Sequence, residues 1–197
     1  MDEIREVYNA WNTCREMIHD RGFIFPNGTD YESVDMEGFR DLYRDKNCDM
    51  LAESPTSGRK IYIKFVLTPK IKPAQLREYF DEIMTKYITE SDDFVVVVRN
   101  KLSSAVVNLN KEKDYRHIQI WWTKQLQMNP TSHVLVPRHE PCTPEEVDEL
   151  MRKYAIQNKN KLPSIERSDI QVRYLGLKSG DIVKIYRENT VFYRHVI

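Results

Sequence analysis

Two stretches near the start of the chain place apolar residues every three or four positions, which is the spacing of one face of a helix. The first apolar face consists of Ile4, Val7, Trp11, Cys14 and Ile18. We expect this helix to end near residues 20–22, where Gly22 suits a helix C-terminus. A second helix is predicted to begin after Ser33 as its N-cap and to bury Met36, Phe39, Leu42 and Tyr43.

From residue 48 to residue 122 the pattern predicts strands that alternate with helices. Alternating apolar residues predict a strand over 61–66, and the β-branched run over 94–98 predicts a strand buried on both faces. Pro73 suits the first position of a helix; the side chains predicted on one side of that helix are Leu76, Phe80, Ile83 and Tyr87. Shorter strands are predicted at 48–52 and 115–122, with a short helix at 103–109. The order predicts an α/β domain with a partly parallel central sheet over residues 1–130.

Residues 131–197 have a different pattern, which predicts a smaller α+β domain. Residues 134–137 suit a short strand stopped by proline. Thr143, Pro144 and Glu146 form a strong helix start, with a capping box and a proline in the first turn; the predicted apolar side of that helix is Val147, Leu150, Met151 and Tyr154. An extended segment at 162–165 and a helical turn at 169–174 follow. A hairpin is predicted to close the chain, with its turn at 188–190.

The stretch from Tyr174 to Ile185 contains two glycines around a short polar loop. Glycine at such positions usually supplies a positive φ, which other residues adopt at a cost of roughly 1 kcal/mol or more. The loop containing Gly180 then leads into a strand that needs a partner to pair with. Because no side chain here suits nucleophilic, acid–base or metal chemistry, the stretch indicates assembly.

The composition narrows the classes of function. The chain has 197 residues, of which 41% are hydrophobic, and 30 basic residues balance 30 acidic ones. With a net charge of zero, the chain lacks the positive electrostatic field expected of a free-standing nucleic-acid-binding protein. Three cysteines without CxxC spacing, a charged N-terminus and the absence of a long apolar run predict an intracellular protein with neither signal peptide nor membrane span.

Three arrangements of polar residues were weighed as sites. His133, His139 and Cys142 fit no common zinc spacing, so local hydrogen bonding is favoured. Asp49 and Lys64 have the arrangement of a metal-dependent nuclease, but Tyr62 stands where a second carboxylate is needed. Basic residues in or beside predicted loops suit phosphate contacts, although interleaved acidic residues favour a solvated surface; these candidates are Arg59, Lys60, Lys70, Lys72, Lys111 and Lys113.

Several motifs resemble the fifth subunit of the eukaryotic nuclear RNA polymerases, in its cellular or large-DNA-virus form. They are H-V-L-V-P-R-H at 133–139, T-P-E-E-V-D-E-L-M-R-K-Y at 143–154, G-D-I-V-K-I at 180–185, and, in the first helix, Trp11, Arg15 and H-D-R-G-F at 19–23. The part after His133 also resembles the small H-type subunit of archaeal RNA polymerases. The family's hairpin is usually longer at its tip than the short connection after Arg187 in this chain.

The resemblance implies a non-catalytic subunit that needs no cofactor and no metal. It implies that residues 1–130 form a jaw domain with a restriction-endonuclease-like fold near downstream double-stranded DNA. It implies that residues 131–197 dock on the largest polymerase subunit, with the homologue of the sixth subunit close by and without self-association. The implied interface residues are His133, Pro137, His139, Arg173, Tyr174, Gly176, Gly180, Asp181, Lys184, Tyr193 and Arg194.

The resemblance implies the nucleus for a cellular version, and the virion or a cytoplasmic viral factory for a viral one. Two other hypotheses stay open at this point. One is a nuclease-fold enzyme that processes DNA, and the other is an adaptor that uses the same assembly domain outside a polymerase.

Overall fold

A computed structural model of the chain describes residues 3–26, 31, 33–101, 104, 115, 118–188 and 190–197. Contacts between residues divide the chain into two units, Met1–Met128 and Asn129–Ile197. Each unit combines helices with strands, in agreement with the predicted mixed α/β content.

The N-terminal unit is built on a four-stranded sheet. Its described elements are α1 (Glu3–Asp20), α2 (Met36–Arg44), β1 (Met50–Glu53), β2 (Lys60–Val66), α3 (Pro73–Lys86), β3 (Asp93–Val98), β4 (Gln119–Trp122) and a 3₁₀ helix (Thr123–Leu126). The strand order is β1-β2-β3-β4, with β1 antiparallel to β2 and the other neighbours parallel. The predicted partly parallel sheet is therefore confirmed.

Local sequence signals explain the ends of most helices. Gly22 has a φ of +78° two residues after the end of α1, and Pro73 is the first residue of α3, as predicted. The predicted N-cap of α2 was wrong: Asp35 caps the helix instead of Ser33, because its carboxylate accepts hydrogen bonds from the amides of Glu37 and Gly38.

The strand limits differ from the prediction in two places. β1 begins at Met50 rather than at residue 48, and β4 begins at Gln119 rather than at residue 115. The predicted helix at 103–109 lies outside the described residues apart from Ser104.

Side chains on both faces of the central sheet are buried. Leu76, Phe80 and Ile83 of α3 pack in one cluster with Tyr62 of β2 and Phe94 of β3. The next residue on each strand belongs to the opposite face, where Ile63 and Val95 are also fully buried. This confirms that β3 is a strand buried on both sides. Tyr87 is not part of the helix face; it follows α3 and is 45% exposed.

The C-terminal unit contains a second four-stranded sheet. Its elements are β5 (His139–Pro141), α4 (Pro144–Lys153), a 3₁₀ helix (Lys159–Lys161), β6 (Ser164–Ile165), α5 (Ile170–Tyr174), β7 (Ile182–Arg187) and β8 (Thr190–Val196). The strand order is β5-β7-β8-β6, with β6 parallel to β8 and the other pairs antiparallel. Its core consists of Ile165, Val172, Leu177, Val183, Ile185 and Val196. The predicted terminal hairpin is confirmed.

The helix starts of the C-terminal unit follow the sequence closely. Thr143 and Glu146 form the predicted capping box at the start of α4, where Pro144 is the first helical residue. Thr143 Oγ1 accepts from the amide of Glu146, and the Glu146 carboxylate accepts from the amide of Thr143. Such a cap stabilises a helix by about 1 kcal/mol. Of the apolar side predicted for α4, only Leu150 is buried, and Tyr154 is 58% exposed.

The predicted strand at 134–137 was wrong, because these residues form a turn. The amide of Val136 donates to the carbonyl of His133 at 2.8 Å, and the amide of Leu135 donates to His133 Nδ1 at 3.2 Å. The apolar run has the composition of a strand, but the sheet begins only at His139 and leaves Val134 93% exposed.

Candidate functional site

The turn before β7 has the backbone conformation expected from its glycines. Gly176 has a φ of +72° and Gly180 a φ of +99°. The carboxylate of Asp181 accepts from the amide of Lys178 at 2.7 Å, which closes the turn. The amide of Gly180 donates to the carbonyl of Val196 at 2.9 Å and ties the turn to the end of β8. These residues therefore shape the unit through backbone hydrogen bonds.

The predicted interface residues before and within β5 lie at the surface. His133 is exposed, while Pro137 and His139 are half-buried. The ring Nδ1 of His139 lies 2.7 Å from the carbonyl oxygen of Pro137, which fixes the orientation of the imidazole. Two further predicted residues, Tyr193 and Arg194, lie on β8; Tyr193 is half-buried and Arg194 is exposed, with its guanidinium donating to the carbonyl of Ser164.

Tyr174, which was also predicted for the interface, has no accessible surface. It ends α5, the short helix that also carries the core residue Val172. Arg173, next to it, is half-buried, and desolvation by burial lowers its pKa to about 10.

Lys184 is largely covered by acidic side chains of its own unit. Its Nζ lies 2.7 Å from Glu146 Oε1 and 3.7 Å from Glu140 Oε2, and its side chain is 14% exposed. The hydrogen bond from Lys184 lowers the pKa of Glu146, and the same hydrogen bond raises the pKa of Lys184. Lys184 thus links β7 to the first turn of α4, so its charge is already neutralised locally.

Two pairs of exposed apolar residues in this unit were missed by the sequence analysis. Val134 is 93% exposed and Leu135 is 82% exposed in the turn before β5. At the hairpin, Val191 is 41% exposed and Phe192 is 49% exposed. A contiguous exposed apolar surface on a soluble domain usually marks an interaction site. The composition of 134–137 predicted a strand, so this exposed turn was not expected.

The basic residues predicted near DNA have different environments. Arg59 is engaged within the N-terminal unit: its guanidinium lies 2.5 Å from Asp93 Oδ1 and donates to the carbonyl of Ser91 at 3.0 Å. Lys60 is half-buried, while Lys70 and Lys72 are exposed. Two further candidates, Lys111 and Lys113, lie outside the described residues.

Asp93 also anchors a second arginine that the sequence analysis missed. Arg21 Nη1 lies 3.3 Å from Asp93 Oδ2, and Arg21 Nη2 donates to Gln119 Oε1 at 2.7 Å. The side chain of Arg21 is only 3% exposed, so this ion pair connects the end of α1 to the sheet from inside the unit. A charged pair between residues 72 positions apart leaves no local signal in the sequence.

The residues weighed as a nuclease site do come together, but as a closed cluster. Asp49 Oδ2 lies 2.7 Å from Lys64 Nζ and accepts from the hydroxyl of Tyr62 at 3.1 Å, while Asp49 Oδ1 accepts from the amide of Phe65 at 2.9 Å. Both carboxylate oxygens therefore have protein donors. Burial, then the Asp49 charge, raises the pKa of Tyr62, which keeps the phenol neutral. The arrangement supports the packing of β1 against β2 rather than metal chemistry.

The described residues contain neither a metal-binding cluster nor a membrane-spanning helix. Among them, no group of three or more His, Cys, Asp or Glu side chains is arranged to hold a metal ion. None of the helices in the described part of the chain is long and apolar enough to span a membrane.

Comparison with protein families gives matches in both units. The model for the RNA polymerase Rpb5 N-terminal domain matches residues 1–83, and the model for the RNA polymerase Rpb5 C-terminal domain matches residues 128–197. The two models match in the same order along one chain and together cover most of it. The chain belongs to the Rpb5 family. The resemblance to the fifth polymerase subunit is thereby confirmed.

Curated relatives match the Rpb5-family chain over nearly its whole length. The DNA-directed RNA polymerases I, II, and III subunit RPABC1 of Caenorhabditis briggsae is 25% identical, with 99% of this chain and 96% of the relative covered. The corresponding subunit of Dictyostelium discoideum is 28% identical, with coverages of 100% and 97%. The DNA-directed RNA polymerase V subunit 5A of Arabidopsis thaliana is 26% identical, with coverages of 99% and 87%.

Proposed function

We propose that this protein is a non-catalytic structural subunit of a multisubunit DNA-directed RNA polymerase and that it takes part in transcription. The observation that carries the proposal is the match of both Rpb5 domain models, in order, on one chain. The closed Asp49 cluster supports a non-catalytic role, because its carboxylate oxygens already accept hydrogen bonds from Lys64, Tyr62 and Phe65.

The C-terminal unit is the part that docks on the largest polymerase subunit. Three features support this assignment: a small core, a sheet with short edge strands, and exposed apolar residues at the turn before β5 and at the hairpin. Of the residues predicted for the interface, His133 and Arg194 are exposed, and Tyr193 is half-buried next to Arg194 on β8. Gly176, Gly180 and Asp181 contribute indirectly, by shaping the turn before β7.

The N-terminal unit acts as a jaw with a restriction-endonuclease-like fold beside downstream double-stranded DNA, while the homologue of the sixth subunit lies close to the docked C-terminal unit. Its mixed sheet, with β1 antiparallel beside three parallel strands and α3 packed on one face, supports this proposal. Lys70 and Lys72 are exposed and suit weak, salt-sensitive contacts with phosphate groups. Arg59 is ion-paired with Asp93 and therefore contributes less to contacts with phosphate groups.

The protein acts as one copy within the polymerase and needs no cofactor. The eukaryotic relatives favour the nucleus as its location; for a chain of viral origin, the virion or a cytoplasmic viral factory takes its place.

Quantitative affinity purification tests the proposal. The tagged full-length chain, purified from its native source, should recover a homologue of the largest polymerase subunit in a one-to-one ratio by mass spectrometry. A chain truncated after Met128 should lose that subunit, whereas variants at Lys70 and Lys72 should retain it. Recovery of other proteins without any polymerase subunit would support the adaptor hypothesis instead.

A further inference from the structure

The tip of the β7–β8 hairpin exposes apolar side chains on both of its faces. Tyr186 is 37% exposed and Val191 is 41% exposed, and these two residues lie directly opposite each other on one face. Phe192 is 49% exposed on the other face, opposite Ile185, which is only 3% exposed and belongs to the core. Apolar side chains of the hairpin thus extend beyond the buried core and are exposed to solvent at the tip.

Each aromatic ring at the tip is stacked by an arginine. The Cζ atom of Arg138 lies 5.5 Å from the ring centre of Tyr186, and that of Arg187 lies 5.8 Å from the ring centre of Phe192. The hydroxyl of Tyr186 donates to Glu140 Oε2 at 2.7 Å, and Arg138 forms an ion pair with the same carboxylate. These contacts hold the two rings in place before any partner binds.

The two guanidinium groups differ in their acidic partners. Arg138 is neutralised by Glu140, whereas Arg187 has no carboxylate partner in the described part of the chain. A guanidinium stacked on a ring keeps the N–H groups at its edge available for a planar acceptor such as a carboxylate. Arg187 therefore offers an unsatisfied charge directly beside the exposed ring of Phe192.

A second exposed apolar segment approaches the same end of the sheet. The amide of Tyr186 donates to the carbonyl of Arg138 at 3.0 Å, so the chain enters β5 next to the tip end of β7. Leu135, which is 82% exposed, precedes Arg138 by three residues and thus lies within about 11 Å of it along the chain. The turn before β5 therefore places a second exposed apolar segment near this end of the sheet.

We propose that Arg187 and Phe192, here called the hairpin-tip surface, bind a protein partner that presents an apolar cleft with a carboxylate at its rim. Phe192 enters the cleft, and Arg187 pairs with the carboxylate. Nucleic acid fits this surface poorly, because Arg138 is already paired with Glu140 and Arg187 alone supplies too little positive charge for several phosphate contacts. The choice of a polymerase subunit as the partner rests on the proposed function.

Binding of the full-length chain to purified polymerase that lacks this chain tests the proposal. Phe192→Ser should weaken binding by about tenfold or more, as expected for a buried aromatic anchor. Arg187→Glu should weaken binding more than Arg187→Gln, because only Arg187→Glu places a negative charge beside the carboxylate of the partner. The matched control is Ile170→Ser, since Ile170 is 43% exposed in the same unit but on α5; it should bind as the wild type does.

The outcomes separate this proposal from the proposed function. If the wild-type chain does not bind the polymerase, the proposed function is wrong. If the wild-type chain binds and Phe192→Ser binds equally well, or if Ile170→Ser is weakened as much, the hairpin-tip surface is not the docking element. Equal binding by Arg187→Gln and Arg187→Glu would exclude a carboxylate of the partner next to Arg187. If the wild type dimerises in sedimentation experiments and Phe192→Ser abolishes the dimer, the hairpin-tip surface binds a second copy of the chain. The proposed polymerase partner would then be wrong.

Discussion

Replacing Gly180 with alanine should destabilise the C-terminal unit through the backbone alone. Gly180 has a φ of +99°, and a Cβ atom built on it meets no other atom within 4 Å. A steric clash is therefore excluded, and the cost is that of the left-handed backbone, about 1–2 kcal/mol. The turn cannot relax cheaply, because the Gly180 amide bonds to Val196 and its carbonyl accepts from Lys159 Nζ at 2.9 Å.

Hydrogen exchange followed by mass spectrometry measures this effect where it should occur. A loss of about 1–2 kcal/mol corresponds to amide exchange about 5- to 30-fold faster in β7 and β8, provided that exchange there requires unfolding of the unit. Tryptophan fluorescence is unsuitable for this unit, because Trp11, Trp121 and Trp122, the chain's three tryptophans, all belong to the N-terminal unit.

Gly38→Ala is the matched control, with an effect of the opposite sign. Gly38 lies in α2 without a positive φ, and its added Cβ meets Asp35 Oδ1 at 3.5 Å and Val34 Cγ1 at 3.6 Å, which are ordinary contact distances. Alanine should slow exchange in α2, since it stabilises such positions by about 0.4–1 kcal/mol. Unchanged exchange of β7 and β8 in Gly180→Ala would refute the claim that backbone strain decides the choice of glycine there.

Three further variants test the ion pairs and buried carboxylates. Asp49→Ala should lower the unfolding free energy of the N-terminal unit by about 1–3 kcal/mol in denaturant titrations followed by tryptophan fluorescence, because Lys64 and the Phe65 amide lose their acceptor; unchanged stability would argue against a structural role. Asp92→Ala should lower the unfolding free energy by about 2–3 kcal/mol in the same assay, because the amide of Lys60, at 2.7 Å, and the amide and hydroxyl of Thr89 lose their acceptor. The exposed control Glu90→Ala should leave the unfolding free energy unchanged. Hydrogen bonding to Lys184 lowers the pKa of Glu146 in the folded state, so its contribution to stability is present at neutral pH and is lost as pH falls through that lowered pKa. Glu146→Gln should therefore flatten the loss of thermal stability on acidification below pH 4.5, and an unchanged pH profile would contradict this.

Signals carried by neighbouring residues predicted much of the fold. Gly22 after α1, Pro73 at the start of α3 and the Thr143–Glu146 capping box all act within one helical turn, so the sequence reveals them directly. The strand β3 was equally clear, because its run of valines suits a position buried on both faces.

Features that depend on distant residues were not predicted. The apolar run at 134–137 has strand composition, but a strand needs a partner edge, and the sheet leaves these residues in an exposed turn. The Arg21–Asp93–Arg59 cluster joins three parts of the chain, and only the folded sheet brings them together. Tyr174 was included in the predicted interface from a motif match, which carries no information about which side chains point inward, and it is fully buried.

Electron cryo-microscopy of the polymerase purified through the tagged full-length chain would test most directly whether this protein is a structural polymerase subunit. We predict density for residues 131–197 against the largest subunit and density for residues 1–130 beside the entry path of downstream DNA. A polymerase map that lacks the chain, or that shows it attached through residues 1–130 alone, would contradict the proposed assembly.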